Sequence, residues 1–317
     1  MLAILFVTFP FFALVLCGYM ATRRGFLPLP AIPGLNTFVL YFALPCLLFR
    51  FGASTPIAQL LNPGVVGVYV VCAVVMVAFT IAVTRHGRIG WNDAAFGALV
   101  GAFPNTGYMG VPLLVALLGA PAAGPAIVTI LVDLLFTSSL CVALSRLAGA
   151  DTHGASVAAR NALKGVAANP MPWAIVLGGL ASATGLVLWK PLGQTIGLLA
   201  DAASPVALFT IGAVLARSQM QRRGPTPLDD YVPVALIKLI VHPLLVLAIG
   251  VAAIDLGVPL DRFALTVIVL VAALPSASNV AMLAERFDAD NGRIARIILV
   301  STALAFLTFS GAVALLI

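Results

Sequence analysis

Residues 103–112 read FPNTGYMGVP, and they lie inside a 39-residue stretch, Ala94 to Val132, without a charged side chain. Proline removes a backbone donor and clashes with the preceding turn, while glycine adds backbone freedom. Two of each, with an asparagine, are poor material for a continuous helix. Helix breakers at the centre of the longest uncharged run predict a discontinuous segment held in apolar surroundings.

The rest of the chain says what those surroundings are. Hydrophobic residues make up 62% of 317 and charged residues 9%, with a mean hydropathy of +1.13. A soluble domain carries roughly 25% charged residues, so this chain cannot cover a water-facing surface, and its solvent is the lipid bilayer. The net charge is +6, but Lys and Arg fall in short clusters between apolar runs. Nucleic-acid binding needs a basic patch with interleaved aromatics, so that partner is excluded. Cys17, Cys46, Cys72 and Cys141 each sit in an apolar segment with no CxxC or Cys/His spacing, and read as small hydrophobes. No metal or cofactor is expected. The first twenty residues lack a basic leader, and Arg23 and Arg24 follow the apolar run. A retained first helix with its N-terminus outside is predicted.

A helix crossing about 30 Å of hydrocarbon needs about 20 apolar residues. Punctuation by Gly, Pro and charge gives ten candidate spans: 2–21, 31–51, 63–84, 94–118, 122–146, 170–188, 192–216, 231–254, 262–284 and 295–316. Asp201 and Pro205 interrupt 192–216. Runs such as VVGVYVVCAVVMVAFTIAV are apolar at every position, without the alternation of a barrel strand, so the predicted fold is an all-α polytopic membrane protein. Thirteen Lys and Arg residues follow the odd-numbered spans, among them Arg85, Arg88, Arg146, Arg217 and Arg296. Three follow the even-numbered ones: Arg50, Lys190 and Arg262. The positive-inside rule then puts the odd-to-even loops in the cytoplasm and both termini on the extracytoplasmic side of the inner (plasma) membrane. The longest connection, about 147–169, suggests a short amphipathic surface helix and divides the chain into near-equal halves.

Five spans per half make the second half inverted relative to the first. Segment 1–148 is the first repeat, 149–168 the cytoplasmic linker and 169–317 the second repeat. FVLYFALPCLLFRFG around Pro45 matches LLADAASPVALFTIG around Pro205, and ALVGAFPNTGYMG around Pro104 matches VLVAALPSASNVAML around Pro275. Irregular backbone survives at membrane depth only inside protein or beside a water-filled cavity. Paired interruptions in two inverted halves point to a transporter's midplane site.

After Pro104 come Asn105, Thr106, Gly107 and Tyr108; after Pro275 come Ser276, Ala277, Ser278 and Asn279. Two half-helix N-termini with amides and hydroxyls suit an anion such as a carboxylate. A bare cation would call for an acidic ligand there. Lys238 and His242 lie one helical turn apart in ALIKLIVHPLL. Two readings of Lys238 stand: inward, serving charge compensation or proton coupling, or snorkelling to the interface. Asp133 is deeper and has Lys238 as a candidate partner. Asp201 and Arg50 fall near the outer face.

NTFVLYFALPCLLF, FPNTGYMGVPLL, SPVALFTIGAVLA, IKLIVHPLL and LPSASNVAMLAERF, in this order, resemble the auxin efflux carrier family, which includes plant auxin carriers and bacterial permeases labelled malonate transporters. The resemblance implies ten helices in two five-helix inverted repeats, similar to bile-acid symporters and sodium/proton antiporters, with broken helices 4 and 9 crossing. It implies a scaffold of helices 1, 2, 6 and 7 and a transport domain of helices 3–5 and 8–10. It also implies that Asn105 and Asn279 match the asparagines that hold the carboxylate in plant members. The long cytoplasmic loop of the plant carriers is reduced here to about 147–169.

A secondary transporter of a small organic anion, working by elevator-type movement, is the expected function. H+ or Na+ is the candidate coupling ion, and a homodimer is a candidate assembly. The alternative is a cation/proton antiporter on the same fold, which usually needs adjacent carboxylates near the crossover, where this chain offers only Asp133. GxSG, GxGD-type and HExxH patterns are missing, so an enzyme is not expected.

Overall fold

The computed structural model describes residues 2–55, 62–85, 88–145, 170–220 and 227–317. The predicted surface helix and linker at 147–169 lie outside these, as do Arg146, Arg160, Lys164, Arg222 and Arg223 of the charge pattern. Among the described residues all regular structure is helical, apart from one isolated β-bridge.

In chain order the helices are α1 (Leu2–Arg23), α2 (Leu29–Ser54), α3 (Pro63–Thr84), α4 (Trp91–Ala102), α5 (Thr106–Leu118) and α6 (Ala120–Ser145). They continue with α7 (Pro170–Thr184), α8 (Lys190–Met220), α9 (Val232–Asp255), α10 (Arg262–Ala273), α11 (Asn279–Arg286) and α12 (Asn291–Leu316). Seven of these are long and apolar enough to cross a membrane: α1, α2, α3, α6, α8, α9 and α12. The other predicted spans are helical but not single long helices. The range 94–118 is split into α4 and α5, 262–284 into α10 and α11, and 170–188 holds the 15-residue α7.

Prolines act differently by position. The stretch 192–216 is uninterrupted, because α8 runs through 31 residues with Pro205 inside it. Losing the one bond to the preceding turn is tolerated where the flanking turns stay intact. Elsewhere the backbone widens to i→i+5 turns at Val39–Ala43, Thr106–Gly110 and Ile237–Val241. Each ends two residues before a proline (Pro45, Pro112, Pro243), where the ring would meet the carbonyl four residues back; the wider turn relieves that clash. A fourth wide turn, Asp133–Thr137, has no proline. There the Ser138 hydroxyl donates to the Asp133 carbonyl at 2.8 Å and competes with the helical ladder.

The helices form two compact units. One comprises Met1–Asn62, Thr106–Val128 and Asn169–Gln221. In it α1 packs on α8 through glycines: a Cβ on Gly18 would run into the Phe209 carbonyl, and one on Gly212 into the Val15 carbonyl. Gly52 of α2 and Gly178 of α7 meet in the same way, backbone to backbone. Small residues at such contacts are how helices associate in lipid, where burial of apolar surface gives no drive. Tyr19 donates to Gln219 at 2.6 Å, and Arg50 meets Asp201 at 2.7 Å in an exposed ion pair.

The second unit comprises Pro63–Asn105, Thr129–Ala168 and Arg222–Ile317. Its centre is built from the half-helices α4 and α10. Every residue from Ala94 to Ala102 is buried, and so are Val267 to Ala273. A helix that is apolar all round belongs in a protein interior, which is why these two runs carry no charge. Asp side chains start α10 and α12: Asp261 accepts from the Ala264 N–H at 2.7 Å, and Asp290 from the Arg293 N–H at 2.9 Å. The Arg293 guanidinium, buried, ties three elements together by donating to the Asp230 carbonyl at 2.6 Å and the Asp93 carbonyl at 2.7 Å.

Candidate functional site

The two breaks foreseen in the sequence meet. Pro104 stands opposite Ser276 in an antiparallel bridge. On either side of that pair the Asn105 N–H donates to the Pro275 carbonyl at 2.8 Å, and the Ala277 N–H donates to the Phe103 carbonyl at 2.9 Å. In this geometry the facing pair itself exchanges no backbone bonds. Proline at 104 therefore gives up nothing, and Pro275 is used only through its carbonyl. The Ser276 N–H turns away to the Ser301 hydroxyl of α12 at 3.2 Å. The prolines stop the helices at positions where the partner strand can accept the freed backbone groups.

Around this bridge polar atoms are buried without partners. The Ser276 hydroxyl and the Asn279 carbonyl oxygen have none among the described residues. Asn105 is buried, with its backbone N–H committed to Pro275 and its side chain left out of the pairing. Pro104 and Pro275 are buried; Ser278 and Asn279 are partly so. Thr106, Gly107 and Tyr108 fall in the other compact unit, at the start of α5, where the Thr106 and Tyr108 hydroxyls are buried without partners among the described residues. Such atoms cost stability unless something satisfies them.

The sequence's three intramembrane ionisable residues lie in the second unit and belong to one buried cluster. Lys238 is fully buried and does not snorkel. Its Nζ donates to the Ala272 carbonyl at 2.6 Å and lies 3.1 Å from His242 Nδ1. The His242 ring sits against Tyr69 with centroids 6.2 Å apart, and the Tyr69 hydroxyl reaches Asp133 Oδ2 at 3.4 Å. Thr137 donates to Asp133 Oδ1 at 3.0 Å. Asp133 and Lys238 are thus linked through Tyr69 and His242, with no direct ion pair. Sequence reading missed Tyr69, Thr137 and Ser301. Tyr69 is a lone hydroxyl in VVGVYVVCAVV, and Thr137 lies one helical turn from Asp133; both signals were available.

A polytopic helical membrane protein with two broken segments joined inside one compact unit has the construction of a transport protein. The chain matches the family described as membrane transport protein over residues 3–313, and it belongs to that family, the auxin efflux carriers. It is 30% identical over 305 residues to a protein of Rhizobium meliloti (strain 1021) named "Putative malonate transporter", covering 95% of this chain and 92% of that one. It is 26% identical to the "Uncharacterized transporter YfdV" of Escherichia coli (strain K12), over 88% of this chain and 87% of that one. An "Uncharacterized transporter" of Methanothermobacter thermautotrophicus is also 26% identical, over 93% of this chain.

Proposed function

We propose that the chain is a secondary transporter for a small organic anion, a carboxylate or dicarboxylate, bound at the paired breaks by Asn105, Ser276 and Asn279. The observation that carries this reading is the buried Ser276 hydroxyl and the buried Asn279 amide oxygen, neither with a partner among the described residues, close in sequence to a backbone bridge in an otherwise apolar interior. A flip of the Asn279 amide exchanges oxygen and nitrogen and puts a donor at the unpaired position. The name of the Rhizobium meliloti relative supports a short dicarboxylate. Against the cation/proton antiporter stands Asp133, whose two oxygens are already engaged by Tyr69 and Thr137.

Ten crossings fit the helices: seven long ones, α7, and the two broken pairs. At about 1.5 Å per residue, α10 and α11 together are about as long as the hydrocarbon is thick. That count and the matched breaks support an inverted repeat, and with it elevator-type alternating access. Clustering of α1, α2, α7 and α8 in one unit and of α3, α9, α10 and α12 in the other supports a division into scaffold and transport parts. The departure is Thr106–Val128, which clusters with the scaffold helices. The Lys and Arg bias supports both termini on the extracytoplasmic side of the inner membrane.

The test is uptake of labelled malonate, with a panel of monocarboxylates and dicarboxylates, by the purified protein in liposomes with and without pH or sodium gradients. Uptake that disappears in Asn105→Ala and Asn279→Ala supports the site. Wild-type transport in both variants rules it out.

A further inference from the structure

Within the second unit, the bridge brings together carbonyl ends as well as an N–H end. The N-terminus of α11 carries partial positive charge, but the C-termini of α4 and α10 carry partial negative charge of the same size. Paired breaks alone therefore give no preference for an anion. Something must offset the carbonyl ends.

Lys238 does so at one of them. In an unbroken helix the Ala272 carbonyl would accept from the N–H four residues on, which belongs to Ser276. That N–H donates instead to Ser301, and Lys238 Nζ takes its place on Ala272 at 2.6 Å. Its second neighbour, His242 Nδ1 at 3.1 Å, accepts in the tautomer that carries the ring proton on Nε2. Two acceptors converging on Nζ suit an ammonium group, which has three donors and no acceptor. Lys238 is held inward by the wide turn Ile237–Val241 ahead of Pro243. The groups facing the cluster from other elements are Tyr69 of α3 and Asp133 of α6, and Asp133 makes no direct contact with Lys238.

The geometry points to Lys238 as the residue that sets anion specificity at the break, by offsetting the negative end of α10 at the Ala272 carbonyl. It is a positioning residue: it acts through the Ala272 carbonyl and needs no contact with the substrate. This rests on the reading of the breaks as a carboxylate site, and it assigns a role for which the amides alone are insufficient.

The test compares Lys238→Gln and Lys238→Arg in liposomes, using labelled malonate and its monomethyl ester as dianionic and monoanionic probes. Glutamine can still donate to Ala272 but carries no charge. Lys238→Gln is expected to raise KM for malonate about tenfold or more and KM for the monoester clearly less. Lys238→Arg is expected to keep the wild-type ratio of the two, and Lys238→Met, which also lacks the charge, carries the test should the glutamine variant not fold. A purely structural role would weaken both probes in proportion, and that result overturns the inference. So does an unchanged malonate KM in a folded Lys238→Gln, or a ratio altered in Lys238→Arg. Wild-type protein that takes up no carboxylate overturns the carboxylate site and this inference together, whereas wild-type uptake with an unaltered glutamine variant overturns the inference alone.

Discussion

The backbone N–H of Asn105 donates to the carbonyl oxygen of Pro275 at 2.8 Å. That bond fixes the main chain at the break without using the Asn105 side chain. Backbone and side chain therefore have separable roles, and substitution can distinguish them. Asn105→Ala and Asn279→Ala should leave the bridge intact, so the melting temperature in detergent should stay within a few degrees of wild type. Malonate uptake should fall at least tenfold in each, the loss expected when a charge-assisted hydrogen bond worth about 1.5–3 kcal/mol is removed. Melting and uptake measured on the same preparations decide it.

Ser301→Ala addresses the opposite case, a side chain that serves the backbone. The Ser301 hydroxyl accepts from the Ser276 N–H at 3.2 Å in a buried setting. Alanine leaves that donor unpaired, at a cost of about 1–3 kcal/mol. The variant should melt lower than either asparagine variant, and Ser301→Thr, which keeps the hydroxyl, should recover most of the loss.

Arg293 makes a prediction about shape as well as charge. Its Nε and Nη1 donate to two different carbonyls, those of Asp230 and Asp93. A lysine has one head group and cannot serve both with the same planar fork. Arg293→Lys should therefore destabilise the protein by about 1.5–3 kcal/mol, seen as a lower melting temperature. Gly97 lies against the guanidinium, and a Cβ there would press on Nη1 at 2.8 Å. Gly97→Ala should lower stability in the same assay, and less than additively with Arg293→Lys, since both disturb one contact.

Much of this was legible in the sequence, for physical reasons specific to lipid. Pro104 and Pro275, each followed by amides and hydroxyls inside an uncharged run, leave few stable arrangements other than breaks that satisfy one another. Pro205 reads alike as a letter, yet α8 passes through it unbroken; whether a proline kinks, widens or stops a helix depends on the neighbours available to the freed carbonyl. Lys238 shows the same limit. Its partner is the Ala272 carbonyl, and a backbone acceptor leaves no mark in the sequence. The two compact units were also beyond composition, since each gathers segments separated by more than a hundred residues. The wide turn at Asp133 has no proline to announce it.

The last prediction concerns the glycine contacts that hold the first unit together. A Cβ at Gly212 would meet the Val15 carbonyl and the Tyr19 nitrogen, and one at Gly18 would meet the Phe209 carbonyl. These are backbone atoms, which cannot rotate away as a side chain can, so α1 and α8 would have to separate. Overpacking of a tight core typically costs about 1–3 kcal/mol, and a larger side chain costs more. Gly212→Val should accordingly lose more stability than Gly212→Ala, while Gly34→Ala, where nothing lies within 4 Å, should change little. Helix separation would also stretch the Tyr19–Gln219 hydrogen bond, now 2.6 Å. Tyr19→Phe should then cost measurably less in the Gly212→Val background than in wild type. Equal costs in the two backgrounds, read from a double-mutant cycle of melting free energies, would show that α1 and α8 stay together by some other contact.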